Sequence, residues 1–296
     1  MSATLCVIGL DAADYRLATR WDCENMLLDA HGGLESISHS LSVPATLEVW
    51  PTIATGLSPA DHGVTLDGVG WDGTPGLRAV VRAVQLLPDR IRDQFVEFKE
   101  RISEGGYPQT DAPTVFDEGS VHNWPGVTPC HVWEREGEWF ARATEGDMSS
   151  DAFVRRSLGT TGSCLGWLAG QSLSPVAIAG AHAHLLDHAG HMFARRPAEL
   201  RRVYEQVDSL LGWLRERVDR LVIVSDHGMQ TTATDDPDPG VHSEHALIAT
   251  TESGPLPTDV RAVRAWLEER VDDGPDESAD ATVDAPREHL EELGYL

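Results

Sequence analysis

Apolar and polar positions alternate with two different periods along this chain, and the two periods divide it into strands and helices. Leu5-Cys6-Val7-Ile8-Gly9-Leu10 and Val222-Ile223-Val224 are continuous apolar runs with no polar face to offer water. Such runs predict strands buried on both faces, as in a parallel sheet. Residues 175–181 and 246–250 read the same way. By contrast, Val203, Val207, Leu210, Leu211 and Leu214 recur at helical spacing, and residues 258–271 follow a similar pattern. Further helices are predicted at 21–30, closed by Gly32-Gly33, and at about 76–101, where Val80, Val81, Val84, Leu86, Leu87, Ile91 and Phe95 supply an apolar face. Thr114 to Asp117 reads as the start of a core helix, with a strand following at 121–125. The fold class that follows is α/β: a mostly parallel central sheet with helices on both faces.

The polar residues that end the strands change the picture. Leu5–Leu10 runs straight into Asp11, and 221–225 into Asp226-His227-Gly228, where the glycine is expected to let the backbone turn sharply. Residues 175–181 lead into His182-Ala183-His184-Leu185-Leu186-Asp187-His188-Ala189-Gly190-His191. A further loop offers His242. Open α/β sheets place their chemistry at the carboxyl ends of strands. Asp11 alone fits a turn cap as well as a site residue. Four histidines in ten residues, with Asp187 and His191 four apart, favour metal binding over a structural role. His182 and His184 read as supports behind such ligands. His122 and His131 read as ordinary strand or loop histidines.

Thr46 follows Pro44, which keeps the approach extended, and it is placed to open a helix. Its hydroxyl fits either a helix cap or a nucleophile aimed at a phosphorus whose charge the helix start helps to hold. Three Asp and three His in separate segments suit two Zn²⁺ ions, or Mn²⁺, rather than Ca²⁺ or Mg²⁺ alone. Two such ions roughly 4 Å apart can clamp a phosphoryl group.

Composition narrows the partners. The chain has 296 residues, with 48 acidic against 23 basic, a net charge of -25, and Lys99 as its only lysine. Acids scattered along the whole length, with almost no lysine, read as a cytoplasmic protein from a high-salt environment, where salt screens the self-repulsion. That surface excludes nucleic-acid binding through a basic face. The sequence contains neither a leader-like start nor an apolar run long enough to span a membrane. Cys6, Cys23, Cys130 and Cys164 lack metal-finger spacing and read as free thiols. Residues 67–158, rich in Trp, Gly and Pro, are expected to form a cap or insertion that selects the substrate within a single domain. Residues 272–285 read as a flexible acidic linker before a short last helix at 286–293.

Taken together, five segments resemble one family. Gly9-Leu10-Asp11, Thr46 with Thr55-Gly56, Pro59 and His62-Gly63 following, Asp187 with Gly190-His191, Ser225-Asp226-His227-Gly228-Met229, and Gly240 with His242 occur in the order seen in the alkaline phosphatase superfamily. The resemblance is closest to its type I phosphodiesterase and nucleotide pyrophosphatase branch. It implies an alkaline phosphatase-like fold and a phosphoester hydrolase acting on a small-molecule substrate. One metal would be held by Asp187, His191 and His242. The other would be held by Asp11, Asp226, His227 and the Thr46 hydroxyl. Thr46 would attack phosphorus and form a phospho-threonine that water then hydrolyses from the opposite side. Glu48 and Val49 stand where that branch often has Pro-Asn, so the Asn donor to a phosphate oxygen is absent, and Glu48 is expected to point to solvent or to an arginine. The Cys-x-Pro-x-Arg setting of sulfatases is also absent. A phosphomonoesterase or phosphomutase of the same superfamily is the alternative enzyme. A catalytically inactive, metal-stabilised binding module is the alternative from another class.

Overall fold

The structure is a computed structural model that describes residues 3–66, 107–173, 176–271 and 291. The expected helix at 76–101, the acidic stretch at 272–285 and the last helix (286–293, apart from Glu291) lie outside the described residues.

Strand β1 (Leu5–Leu10) lies at the centre, with every residue buried. The later strands β4 (Ile178–Ala183) and β5 (Arg220–Val224) flank it, both parallel to it. Beyond β4 runs the short parallel strand β3 (Ser120–His122). Beyond β5, β8 (His245–Thr250) pairs antiparallel, and β2 (Ala30–Glu35) pairs antiparallel with β8 in turn. The order is β2-β8-β5-β1-β4-β3, so the sheet is mostly parallel. A two-stranded ribbon, β6 (Gly228–Met229) and β7 (His242–Ser243), stands apart from it.

Side chains of β1 alternate between two apolar layers, as a strand's period of two requires. Cys6, Ile8 and Leu10 pack with Val203, Val207, Leu211 and Leu214 from the helix Pro197–Arg215, and with Phe153, Leu165 and Leu168 from the helix Ser150–Gln171. Leu5 and Val7 face the other way. They meet Val49, Trp50 and Ile53 of the helix Thr46–Thr55, and Val263 and Leu267 of the helix Val263–Glu268. Covering both faces explains why β1 carries no polar residue until Asp11.

Several local expectations are corrected. Residues 21–30 do not form one helix. Asp14 caps an earlier helix, Tyr15–Arg20, accepting from the Arg16 and Leu17 N–H groups, and a separate turn of helix follows at Glu24–Leu27. Gly32 and Gly33 lie inside β2 instead of closing a helix. β4 begins at Ile178 and runs two residues past Ala181, which carries His182 into the sheet. Thr114 to Asp117 is a turn tied by the Thr114 hydroxyl to Asp117 Oδ1 (2.6 Å), not a helix start. The 258–271 segment divides into a 3₁₀ turn, Val260–Ala262, and the helix Val263–Glu268, because Asp259 bonds the Arg261 N–H at its start. All four cysteines are buried and unpaired, and burial pushes each thiol up to about 12. Among the described residues no helix is long and apolar enough to cross a membrane.

Candidate active site

β1, β4 and β5 all end at the same edge, and their terminal polar residues meet there. The chain after β1 makes a sharp bend in which Ala12 takes a left-handed φ of 57°, a conformation that costs energy for a residue with a Cβ. The bend is held by two bonds: the Ala12 N–H donates to Asp226 Oδ1 (3.2 Å), and the Tyr204 hydroxyl donates to the Ala12 carbonyl (3.3 Å). This strain places Asp11 and Asp226, both fully buried, side by side.

Thr46 is the first residue of its helix, after Ala45 in extended conformation. Its hydroxyl turns away from the backbone. It lies 3.0 Å from His227 Nε2 and 3.4 Å from Asp11 Oδ1. Trp50, one turn further on the same helix face, reaches Asp11 Oδ2 with its indole N–H (3.4 Å). His227 Nε2 is 3.4 Å from Asp11 Oδ1 and 3.2 Å from Asp226 Oδ2. These four donors form an inner cluster.

An outer cluster lies beside it. Asp187 and His191 are one turn apart on the helix Leu185–Phe193, and β7 brings in His242. Asp187 Oδ1 is 3.3 Å from His191 Nε2 and 3.1 Å from His242 Nε2, and the two Nε2 atoms are 3.1 Å apart. The rings of His227 and His242 stack at 3.8 Å and 19°, so the two clusters touch.

The protonation of these histidines is fixed by what lies behind them. His227 Nδ1 bonds the Gly228 carbonyl (3.0 Å), His191 Nδ1 the Gly240 carbonyl (2.9 Å), and His242 Nδ1 the Pro44 carbonyl (2.9 Å). A carbonyl only accepts, so each Nδ1 carries the proton and each Nε2 presents a lone pair to its cluster. Gly240 takes a φ of 100°, which suits glycine and aims its carbonyl at His191.

Lone pairs therefore face lone pairs in both clusters. Asp187 Oδ1 and Asp226 Oδ2 are buried with no aligned hydrogen bond. That arrangement is unfavourable unless a cation or added protons sit among the donors. The donors of one tetrahedral zinc, each about 2.0–2.1 Å from the ion, lie about 3.3–3.4 Å apart. The contacts here, 3.0–3.4 Å, match those edges. Both sets, Asp11 with Asp226 and His227, and Asp187 with His191 and His242, could hold a metal ion.

Without a cation, protons compensate unevenly. Burial, reinforced by the charge of Asp11, raises Asp226 well above the usual carboxylate range. Burial and the neighbouring His242 push His227 down to about 3, so it stays neutral. Burial works against charging His191, but the Asp187 charge outweighs it and raises the imidazole.

All seven residues expected at the site, Asp11, Thr46, Asp187, His191, Asp226, His227 and His242, are thus gathered at one edge of the sheet. Glu48 differs from expectation. It is buried, and its carboxylate accepts from the Ser40 N–H, the Ser40 hydroxyl and the Leu66 N–H. Three donors from the chain hold it away from the site, so neither solvent nor arginine is needed. Val49, at the position of the absent Asn, lies in the apolar layer. Gly228 does not turn with positive φ. A Cβ there would lie 2.5 Å from Asp14 Oδ2 and 2.6 Å from the His245 carbonyl, so close approach demands the glycine. His122 stacks on Trp167 in β3, away from both clusters. Sequence reasoning missed Trp50, although its four-residue spacing from Thr46 was a usable signal. It also missed Trp133, whose ring packs on His184 at 4.7 Å and which no local pattern marks.

The model of the family described as type I phosphodiesterase / nucleotide pyrophosphatase matches residues 5–294. No curated protein matches the chain. Among solved structures, the PH0037 protein of Pyrococcus horikoshii is similar at 13% identity and a TM-score of 0.43, with 92% of this chain and 98% of that one covered. Murine ectonucleotide pyrophosphatase / phosphodiesterase 5 is similar at 14% identity and a TM-score of 0.38, with 77% of this chain and 57% of the mouse chain covered. The mouse protein is also known in an inactive form in complex with AMP, similar at 15% identity and a TM-score of 0.37. The family match spans nearly the whole described sheet and both clusters, and the chain belongs to the type I phosphodiesterase / nucleotide pyrophosphatase family of phosphoester hydrolases.

Proposed function

We propose that this chain hydrolyses a small phosphodiester or nucleotide pyrophosphate with two divalent metal ions, zinc being the ion the donors fit best, through a phospho-threonine at Thr46. The observation that carries the reading is the shared orientation of His191, His227 and His242, each with Nδ1 on a backbone carbonyl and Nε2 turned to a cluster. Asp187, His191 and His242 would hold the outer ion; Asp11, Asp226, His227 and Thr46 the inner one. When bound, the ions would lower the pKa of the threonine hydroxyl and of water and neutralise charge on the phosphoryl oxygens.

The chain's own groups then do the following. Asp11 and His227 hold the Thr46 oxygen in place for attack. The Thr46 O–P bond forms as the bond from phosphorus to one ester oxygen breaks, and that leaving group departs as an alcohol or phosphate after taking up a proton. Water then attacks the same phosphorus, the Thr46 O–P bond breaks, and the hydroxyl regains its proton as a phosphomonoester leaves. The missing Asn has a replacement in the helix start. The Glu48 and Val49 N–H groups bond the Ala45 carbonyl, which leaves the N–H groups of Thr46 and Leu47 to a phosphoryl oxygen. The net charge of -25 supports an enzyme that works at high salt, where repulsion of an anionic substrate is screened.

The test is a panel of chromogenic mono- and diesters with Zn²⁺ or Mn²⁺, at low and molar salt, with metal analysis of the same protein. Turnover is expected on diesters above monoesters, with two metals per chain. Faster turnover of monoesters would favour the phosphatase alternative. Protein without stoichiometric metal would overturn the reading.

A further inference from the structure

The two aspartates that head the clusters divide their oxygens in the same way. Asp11 turns Oδ1 to the inner cluster and Asp187 turns Oδ1 to the outer one. The other oxygens of the two share one imidazole, and Asp11 Oδ2 also meets His182 Nε2 at 3.1 Å and the Trp50 indole N–H at 3.4 Å. His184 Nδ1 is 2.6 Å from Asp11 Oδ2, and His184 Nε2 is 3.4 Å from Asp187 Oδ2. His184 sits between β4, which lies beside the strand that ends at Asp11, and the helix Leu185–Phe193, which carries Asp187. Trp133 packs on its ring, and the ring of His188 stands edge-on to it at 4.4 Å and 89°, so its orientation is set from two sides.

The same atoms also make donor triads, Asp11 with His182 and His184, and His184 with Asp187 and His188. Distance decides against a third metal on the Asp11 side. Two ligands of one tetrahedral ion lie about 3.3 Å apart, and 2.6 Å is a strong hydrogen bond instead. His184 also differs from His191, His227 and His242, since neither of its nitrogens is spent on a backbone carbonyl in any observed bond.

We propose that His184 is a positioning residue that couples the two metal positions, its ring bridging Asp11 Oδ2 and Asp187 Oδ2 so that an ion at either cluster orders the carboxylate of the other. This inference rests on the two-metal reading above. By linkage the effect is reciprocal: each ion strengthens the binding of the other by the same factor. Supports of this kind typically change metal affinity about 10–100-fold.

The test is Zn²⁺ titration of metal-stripped protein against a competing chelator, with far-UV circular dichroism to follow folding. Wild type should bind two ions, the first raising affinity for the second. His184→Ala should weaken both sites about 10–100-fold and abolish the coupling. Two further variants separate positioning from mere packing. In His184→Asn the amide nitrogen replaces Nδ1, and in His184→Gln it replaces Nε2. His184→Asn should keep the inner affinity and weaken the outer, and His184→Gln should do the reverse. Asp226→Ala and His242→Ala backgrounds, each retaining one cluster, assign the steps. Equal weakening of both sites in both amide variants would overturn the inference, as would two ions bound by His184→Ala with wild-type affinities and coupling. In either case the two-metal reading stands. Wild type that takes up no Zn²⁺ would overturn both.

Discussion

The inner and outer clusters use the same chemistry in different surroundings. Asp11, Asp226 and His227 are shut off from solvent and come from the ends of two neighbouring parallel strands. In the outer cluster, side chains of His191 and His242 are 19% and 10% exposed, and they come from a helix and a two-residue ribbon strand. The inner strand ends are fixed by the sheet's register, whereas the outer donors come from the helix Leu185–Phe193 and from β7, outside the sheet. The proposed nucleophile, Thr46, lies against the buried cluster, where misplacement of an oxygen by 1 Å would be most costly. The outer cluster is the more exposed of the two.

The sharpest way to break this comparison is to remove one donor from each side. Asp226→Ala should lose the inner ion and lower turnover at least about a thousandfold, because the Thr46 oxygen loses its activation. His242→Ala should keep the inner ion and lower turnover less, by roughly a hundredfold. Metal analysis and steady-state rates on both variants check the order; a reversed order would contradict the roles given to the clusters.

Proton competition gives a second test. Metal ligands must be deprotonated, and without a metal the proton affinities of Asp226 and His191 are raised. Metal binding should therefore release protons, and affinity should fall about tenfold per pH unit on acidification for each proton released. Because Asp226 is raised well above its usual range, the inner ion should be the more pH-sensitive. Zn²⁺ titrations between pH 6 and pH 8, in the single-cluster variants, measure this. Affinity independent of pH would contradict it.

The smallest effect is expected at the ribbon that joins the clusters. Gly228→Ala places a methyl against Asp14 Oδ2 and the His245 carbonyl, and should cost about 1–3 kcal/mol of stability, read by urea unfolding. Since Gly228 pairs with Ser243, beside His242, the outer ion should weaken more than the inner.

Much of this was legible in the chain. β1 throughout and β5 from Leu221 on are apolar on both faces, so their ends had to be where Asp11 and Asp226-His227 emerge. Spacing of four carried Asp187 and His191 onto one helix face. What the sequence did not reveal depends on neighbours distant along the chain. Glu48 is turned inward by Ser40 and Leu66. Gly228 is required by Asp14 and His245, more than ten residues away on either side. The role of His184 rests on two aspartates that the sequence separates by 176 positions (187 − 11) and the fold brings to one ring. Helix limits failed where short capping residues such as Asp14 and Asp259 set the start.

The central claim is that Thr46 attacks phosphorus while the two clusters hold metal. It is tested most directly by comparing Thr46→Ala with wild type, measuring bound metal and phosphodiester turnover on the same samples. The outcome expected is two ions in both proteins and turnover only in wild type, whereas Thr46→Ala turning over at the wild-type rate would contradict the account.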